Sequence, residues 1–182
     1  MHVASVTDAE IRMTLEVMVD VANGLIEEDL DLRRVLSEAG FSRAPDASAA
    51  SMRRAEQRMA QLLPFLRELG ELDVATAATR INGELTELPI TPSIVDHDDV
   101  GPHIHWTPST ATFDDQFIAD VLMSLTHELC DNGTIRFGRC GADDCERLFY
   151  DATRNRSKRF CNDPRCASRT HTADHRARQR AR

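Results

Sequence analysis

Two stretches of the sequence decide the fold of its C-terminal part: Cys140-Gly141-Ala142-Asp143-Asp144-Cys145 and Cys161-Asn162-Asp163-Pro164-Arg165-Cys166. A cysteine stands at both ends of each stretch, so the four cysteines form a C-x4-C-x15-C-x4-C pattern. Thiolates suit a tetrahedral Zn²⁺, and two close pairs joined by a longer segment are typical of a structural zinc site. The pattern predicts one structural zinc ion bound by Cys140, Cys145, Cys161 and Cys166.

Disulfide bonds are the competing interpretation of these cysteines. The first 30 residues are rich in acidic side chains and lack the apolar segment of a signal peptide. Nor does the sequence contain the stretch of about 18 apolar residues that a membrane helix needs. We therefore expect a cytoplasmic protein without membrane contact, in which thiols stay reduced and are free to bind metal.

Further potential ligands lie near the cysteine pattern. Cys130 follows His127 by three residues, but a lone cysteine at the end of a helix is more often a small buried hydrophobe, and we expect that here. His171 and His175 are one helical turn apart and could replace a thiolate. With four cysteines available, we expect both histidines to be exposed.

A second group of potential ligands is crowded into one short segment: His97, Asp98, Asp99, His103 and His105. In a strand, His103 and His105 would lie on the same face. Whether His97, His103 and His105 bind a second metal ion stays open at this point. Because no nucleophile is paired with a base, we do not expect an enzyme.

Charge divides the chain into two parts. Residues 1–135 carry 9 arginines against 24 acidic residues, a net charge of −15. Residues 136–182 carry 13 cations against 6 acidic residues, a net charge of +7. The net charge of −8 for the whole chain therefore conceals a basic C-terminal segment. We predict two domains, residues 1–133 and residues 134–182.

The first domain is predicted to be mainly α-helical with a short β-hairpin. Apolar residues at helical spacing, with capping residues before them, predict helices that begin near Thr7, Leu32, Ser48, Asp73 and Thr112. Pro64 is expected to kink or split the third of these helices. Prolines and glycines interrupt residues 90–110, where alternation predicts two short strands at about 90–95 and 103–107.

The second domain is predicted to be a small treble-clef-like zinc finger. Strands at about 135–137 and 147–150 would form a hairpin around the first cysteine pair, and a helix would run from Pro164 to Arg180. On this helix Ala173 and Ala177 are small enough to pack closely against a hairpin.

Cations are concentrated in this finger. The candidate nucleic-acid-binding residues are Arg154, Arg156, Lys158, Arg159, Arg169, Arg176 and Arg180. Arginine binds phosphate through two N–H groups and stays charged, so we expect a polyanionic partner, DNA or alternatively RNA. The other interpretation is a protein-interaction module that docks on an acidic surface. The nearest acidic surface is that of residues 1–133, which could itself cover the finger.

The finger resembles the CGNR zinc finger family of bacterial proteins. The resemblance lies in the two cysteine pairs, in Phe149-Tyr150-Asp151 and in residues 153–157 and 159–161. The family tetrad is here Cys166-Ala167-Ser168-Arg169, so alanine and serine replace glycine and asparagine, which puts any nucleic-acid contact of that asparagine in question.

Members of the family usually carry an N-terminal helical domain of the ABATE type, regarded as a stress-induced transcription regulator. The resemblance thus implies a DNA-binding regulator whose residues 1–133 receive a signal from a small ligand or a protein. Trp106, Phe113 and Phe117 could line a ligand pocket, although ordinary core positions are the simpler interpretation.

Overall fold

The computed structural model describes residues 6–96 and 101–180. Within these residues the protein is mainly helical and has two small antiparallel hairpins. The helices are α1 (Val6–Ile26), α2 (Leu32–Glu38), α3 (Ala49–Glu68), α4 (Val74–Leu85), α5 (Phe113–Asn132) and α6 (Pro164–Arg180), and a 3-10 turn (Leu69–Glu71) follows α3. The strands are β1 (Ser93–Asp96), β2 (Pro102–His105), β3 (Phe137–Arg139) and β4 (Leu148–Tyr150).

Helix α5 lies at the centre of the helical body, where it packs against α1, α3 and α4. Its apolar side chains are almost fully removed from water, as are those that face it from α1 and α3. The largest of these buried side chains are Leu15, Met18, Met59, Phe117, Ile118, Leu122 and Leu125. Burial on this scale stabilises the helices together, since none would be stable alone in water.

A buried carboxylate fixes α5 to α3. Asp114 accepts hydrogen bonds from the Ser51 hydroxyl and from Arg54, whose Nε lies 2.9 Å from Oδ2. Burial raises the pKa of Asp114, but the hydrogen bonds from Arg54 and Ser51 outweigh it and lower the pKa to about 2. Asp114 thus stabilises the fold at neutral pH, and this contribution is lost as pH falls from about 4 to about 2.

Most helix ends follow the predicted capping. The side chains of Ser48, Asp73 and Thr112 accept hydrogen bonds from the first turns of α3, α4 and α5. Gly40 has a φ of 89° after α2, and the Phe41 amide donates to the carbonyl of Leu36, which closes a C-terminal cap.

Two helix predictions need correction. Helix α1 begins at Val6, so Thr7 lies inside the helix and does not precede it as a cap. Helix α3 continues through Pro64 to Glu68 and is not split. Proline removes one main-chain hydrogen bond, and the burial of Leu62 and Leu66 on either side offsets this loss.

The two hairpins have different surroundings. In the first, Ser93 pairs with His105, and most of its residues are exposed or half-buried. In the second, Phe137 pairs with Tyr150, and both side chains join the hydrophobic core of the helical body together with Leu148. The hairpin of the predicted finger is therefore packed into the core of the predicted first domain.

In the part of the chain that the structure describes, no helix combines the length and the apolar character needed to span a membrane.

Candidate metal centre

The four cysteine sulfurs predicted from the sequence come together in the structure. The Sγ atoms of Cys140, Cys145, Cys161 and Cys166 all lie within 4.8 Å of one another. Those of Cys145 and Cys161 are 3.9 Å apart, and those of Cys161 and Cys166 are 3.7 Å apart. Four sulfurs placed tetrahedrally at about 2.3 Å from one Zn²⁺ are about 3.8 Å from each other.

These sulfur–sulfur separations therefore fit one tetrahedral zinc ion. They do not fit disulfides, whose sulfurs are bonded at about 2.05 Å. Three of the four cysteines are buried and Cys145 is half-buried, so the ion would be enclosed. A site with four protein ligands leaves no position for substrate, which is the pattern of structural zinc. The predicted single structural zinc ion is confirmed.

The first cysteine pair is held by the hairpin. Cys140 directly follows β3, and its amide donates to the carbonyl of Arg147 at 2.7 Å. The chain then turns, and the Cys145 amide donates to the carbonyl of Ala142 at 3.1 Å. Main-chain hydrogen bonds therefore fix the turn that directs both sulfurs toward one ion.

The second cysteine pair is held by the start of α6. The Cys166 amide donates to the carbonyl of Asp163 at 3.1 Å, one residue before the helix begins. A link to the first pair comes from Gly141, whose amide donates to the carbonyl of Arg159 at 2.8 Å. A side chain at Gly141 would place its Cβ 3.0 Å from that carbonyl oxygen, so the close approach favours glycine.

Four thiolates this close together need a cation between them. Burial, together with the neighbouring thiols, raises the pKa of Cys166 to about 12, so this group favours its neutral form without a cation. Zn²⁺ supplies the charge that stabilises adjacent thiolates. The chain adds Arg169, whose Nη2 lies 3.6 Å from the sulfur of Cys166 and 3.1 Å from Oδ1 of Asp144. Arg169 is exposed, but its guanidinium also supports the metal centre.

The other nearby candidates do not join this centre. Cys130 is exposed, so its predicted burial is wrong: it lies at the C-terminal end of α5, beyond the last buried turn. The ring of His171 packs against the edge of Phe160, with centroids 5.7 Å apart. The side chain of His175 lies outside the described residues.

The second predicted group of ligands is only partly described. His103 and His105 lie on one face of β2, as expected, with their Nε2 atoms 3.2 Å apart. His97, Asp98 and Asp99 lie outside the described residues. A metal ion could be shared by a group of at least three potential ligand atoms that lie close together. Among the residues described, the four cysteines form such a group.

A buried aspartate organises the loop between β4 and the second cysteine pair. Oδ1 of Asp151 accepts the amide and hydroxyl hydrogens of Thr153 at 2.8 and 2.6 Å, and Oδ2 accepts the amide of Lys158 at 2.7 Å. Arg136 donates to the carbonyls of Asp151 and Thr153 at 2.7 and 2.9 Å. Hydrogen bonds therefore hold both ends of residues 152–158.

This arrangement places most of the predicted nucleic-acid-binding cations in solvent. Over the residues described, no ion pair involves the exposed side chains of Arg154, Arg156, Arg159, Arg176 and Arg180. The remaining two candidates have partners inside the finger. Lys158 is half-buried and donates to Asn162 at 2.8 Å, and Arg169 pairs with Asp144 as described above.

Sequence reasoning missed the importance of Asp151 and Arg136. A signal for Asp151 was present, because aspartate commonly bonds the main chain two residues ahead, as it does here with Thr153. Another expectation is wrong: Ala173 is exposed and does not pack on a hairpin, while the side chain of Ala177 lies outside the described residues. Among the described side chains of α6, the contacts at the metal centre come from its first turns, through Cys166 and Arg169.

A different set of cations joins the finger to the acidic body. Arg147 pairs with Glu27 through two hydrogen bonds, Arg139 Nη2 lies 3.1 Å from Glu71, and Arg136 Nε lies 3.3 Å from Glu128. A fourth pair has the opposite sense, since Arg67 of the body contacts Glu146 of the finger at 2.8 Å. The acidic body thus holds the hairpin, whereas Arg154, Arg156 and Arg159 stay exposed.

Comparison with known families agrees with this centre. Residues 136–179 match the family model of the CGNR zinc finger. The match includes all four cysteines, the loop organised by Asp151 and most of α6, so the resemblance of the finger is confirmed. The match does not reach the helical body, and the ABATE-type assignment of that part stays a prediction. A search of curated proteins finds no match to this chain.

Proposed function

We propose that the zinc finger binds double-stranded DNA through the arginines of its fixed loop and of α6, and that the protein is a transcription regulator. The observation that carries the proposal is that five arginines of the finger are exposed and have no ion-pair partner among the described residues. Other arginines of the same finger do pair with glutamates. A protein gains little stability from such unpaired cations, whereas phosphates would pair with them.

The loop conformation supports phosphate binding. Because Asp151 already fixes residues 152–158, little main-chain entropy would be lost when the loop meets a ligand. Arg154 and Arg156 project from this loop, and Arg159 follows two residues before the third zinc ligand. The metal centre would thus act structurally, by joining the loop to α6.

The helical body would receive a signal in this proposal. Helix α5 is the physical connection, since it forms the centre of the body and its Glu128 accepts a 2.8 Å hydrogen bond from Tyr150 of the finger. A displacement of α5 would therefore act directly on the strand that leads into the arginine loop.

A second candidate function is docking of the finger on an acidic protein. The observation in its favour is that three arginines of this finger already bind glutamates of the body. A nucleic acid and a protein partner differ in salt dependence, because release of counterions from DNA makes the affinity fall steeply with added salt.

The test is fluorescence anisotropy of labelled duplex DNA with the zinc-loaded full chain at several salt concentrations. The variant replaces three loop cations, Arg154→Gln, Arg156→Asn and Arg159→Gln. Asparagine is chosen because residue 156 has a φ of 49°, which asparagine tolerates better than most residues. A charge-matched control carries Arg34→Gln, Arg53→Gln and Arg80→Gln, which are exposed cations of the body.

We expect the loop variant to weaken binding and to reduce the slope of log affinity against log salt by about 0.9 for each phosphate that the variant no longer neutralises. The control should behave like the parent protein. Duplex and single-stranded RNA are measured in parallel, and tighter binding to RNA would move the proposal from DNA to RNA. Absence of binding to either at low salt, or equal binding by the loop variant, contradicts the proposal.

A further inference from the structure

A cavity lies in the helical body, away from the metal centre. It is formed between α1, β2 and α5 and has a volume of about 340 Å³. Ile11, Phe41 and Trp106 contribute apolar surface, whereas Glu10 and Asp120 contribute carboxylates. The volume lies at the lower end of the range of small-molecule sites, about 300–1,000 Å³, and the lining also contains polar side chains such as His103, His105 and Gln116.

Asp120 is the unusual residue of this cavity. Neither a hydrogen bond nor an ion pair involves its carboxylate within residues 6–96 and 101–180, although it lies on the central helix α5. Burial, together with the negative charge of Glu10, raises its pKa to about 7. Asp120 is half-buried at the cavity wall, so its carboxylate loses part of its hydration without gaining a partner among the described residues, and a positively charged ligand would offset that cost.

The remaining walls suit the rest of such a ligand. Trp106 is held in place by His127, whose ring centroid is 5.8 Å away, and it presents an indole surface to the cavity. Indole is the side chain that binds cations best through its ring face. Phe41 packs edge-on against the fully buried Phe117, with centroids 5.6 Å apart, so this wall is also fixed.

We propose that this cavity binds a small organic cation, an amine with an apolar or aromatic body, whose charged nitrogen pairs with Asp120 and whose body contacts Trp106 and Phe41. Glu10 adds negative charge at the same end of the site. The proposal concerns the helical body alone and is independent of what the finger binds. Of the three aromatic residues considered in the sequence analysis, Phe113 and Phe117 belong to the core, as the simpler interpretation has it, and Trp106 lines this cavity.

The chain offers a direct probe, since Trp106 is its single tryptophan. The experiment titrates the zinc-loaded full chain with phenethylamine and follows tryptophan fluorescence. 2-Phenylethanol, of similar shape but neutral, and 3-phenylpropionate, an anion, serve as matched ligands. The variant is Asp120→Asn, and the control is Glu84→Gln, an exposed acid-to-amide change on α4. Circular dichroism checks that both variants are folded.

We expect saturable binding of phenethylamine and binding at least about tenfold weaker for both matched ligands, because a hydrogen bond to a charged group is worth at least this factor. Asp120→Asn should lose about the same factor, and Glu84→Gln should lose none. Equal binding of 2-phenylethanol, no effect of Asp120→Asn, or no saturable response to the amine overturns the proposal. A second zinc ion per chain that disappears in Asp120→Asn also overturns it, since the carboxylate would then be a metal ligand.

Discussion

The phenolic hydroxyl of Tyr150 donates a 2.8 Å hydrogen bond to Oε2 of Glu128, and this bond joins strand β4 of the finger to helix α5 of the body. Both side chains are buried. The other oxygen of Glu128 lies 3.3 Å from Nε of Arg136, as an ion pair but without hydrogen-bond geometry. The carboxylate therefore depends on Tyr150 for its hydrogen bonding.

Removal of that hydroxyl should destabilise the whole protein. We expect Tyr150→Phe to lower the free energy of unfolding by about 1–3 kcal/mol, because a buried carboxylate loses its hydrogen-bond donor. Denaturant unfolding measures the change. Adding Glu128→Gln should recover part of the loss, since a neutral amide is less costly to leave unpaired. A tyrosine variant as stable as the parent would mean that the bond contributes nothing.

The same tyrosine should titrate abnormally. Burial, together with the hydrogen bond to Glu128, raises the pKa of Tyr150 above its ordinary value of about 10. As pH rises above about 10, the unfolded chain ionises first, so the contribution of this group to stability is lost. The chain has a single tyrosine, so tyrosinate absorbance near 295 nm reports on it alone. We expect that absorbance to appear only above pH 10 in the folded protein, and a midpoint below 10 would contradict the burial.

Packing of the finger against the body can be tested at a glycine. A Cβ added at Gly70 would lie 2.1 Å from the carbonyl oxygen of Phe137, so Gly70→Ala should force β3 away from the 3-10 turn. We expect a clear loss of thermal stability. Gly83, inside α4, has no heavy atom within 4 Å of such a Cβ, so Gly83→Ala should instead stabilise the helix by up to about 1 kcal/mol. Equal melting temperatures for the two variants would contradict this packing.

The loop held by Asp151 predicts a pattern of proteolysis. Trypsin cleaves after arginine and lysine, and Arg154, Arg156 and Lys158 lie in this loop. Asp151→Ala removes the acceptor of three hydrogen bonds, so local opening should become easier and cleavage in residues 154–158 faster. The control is Asp29→Ala, an exposed aspartate of the body. Unchanged cleavage in the Asp151 variant would show that the loop is ordered by other means.

Local sequence patterns predicted much of this structure. The spacing of Cys140, Cys145, Cys161 and Cys166 identified the metal ligands, because short turns bring each pair together whatever the rest of the chain does. Capping residues such as Asp73 marked helix starts for the same reason, since the bond from its side chain to the Thr76 amide spans only three positions.

Contacts between residues that are far apart in the sequence could not be predicted from local patterns. The side chain of Asn23 bonds the main chain of Leu148 at 2.7 and 3.1 Å, across 125 positions of sequence, and it helps to bury the finger hairpin in the body. Charge predicted two domains, but it did not identify the partners in the pairs of Arg147 with Glu27 and of Arg139 with Glu71. Asp120, which has no partner among the residues that the structure describes, is a tertiary feature of the same kind.

The most direct measurement is the zinc content of the purified chain and of two cysteine variants, determined by elemental analysis after dialysis. We expect one zinc ion per chain, retained in Cys130→Ser, whose thiol is exposed and outside the cluster, and lost or greatly weakened in Cys161→Ser. A full chain without zinc, or a variant at Cys161 that holds the ion as firmly as the variant at Cys130, would contradict a metal centre built from these four sulfurs.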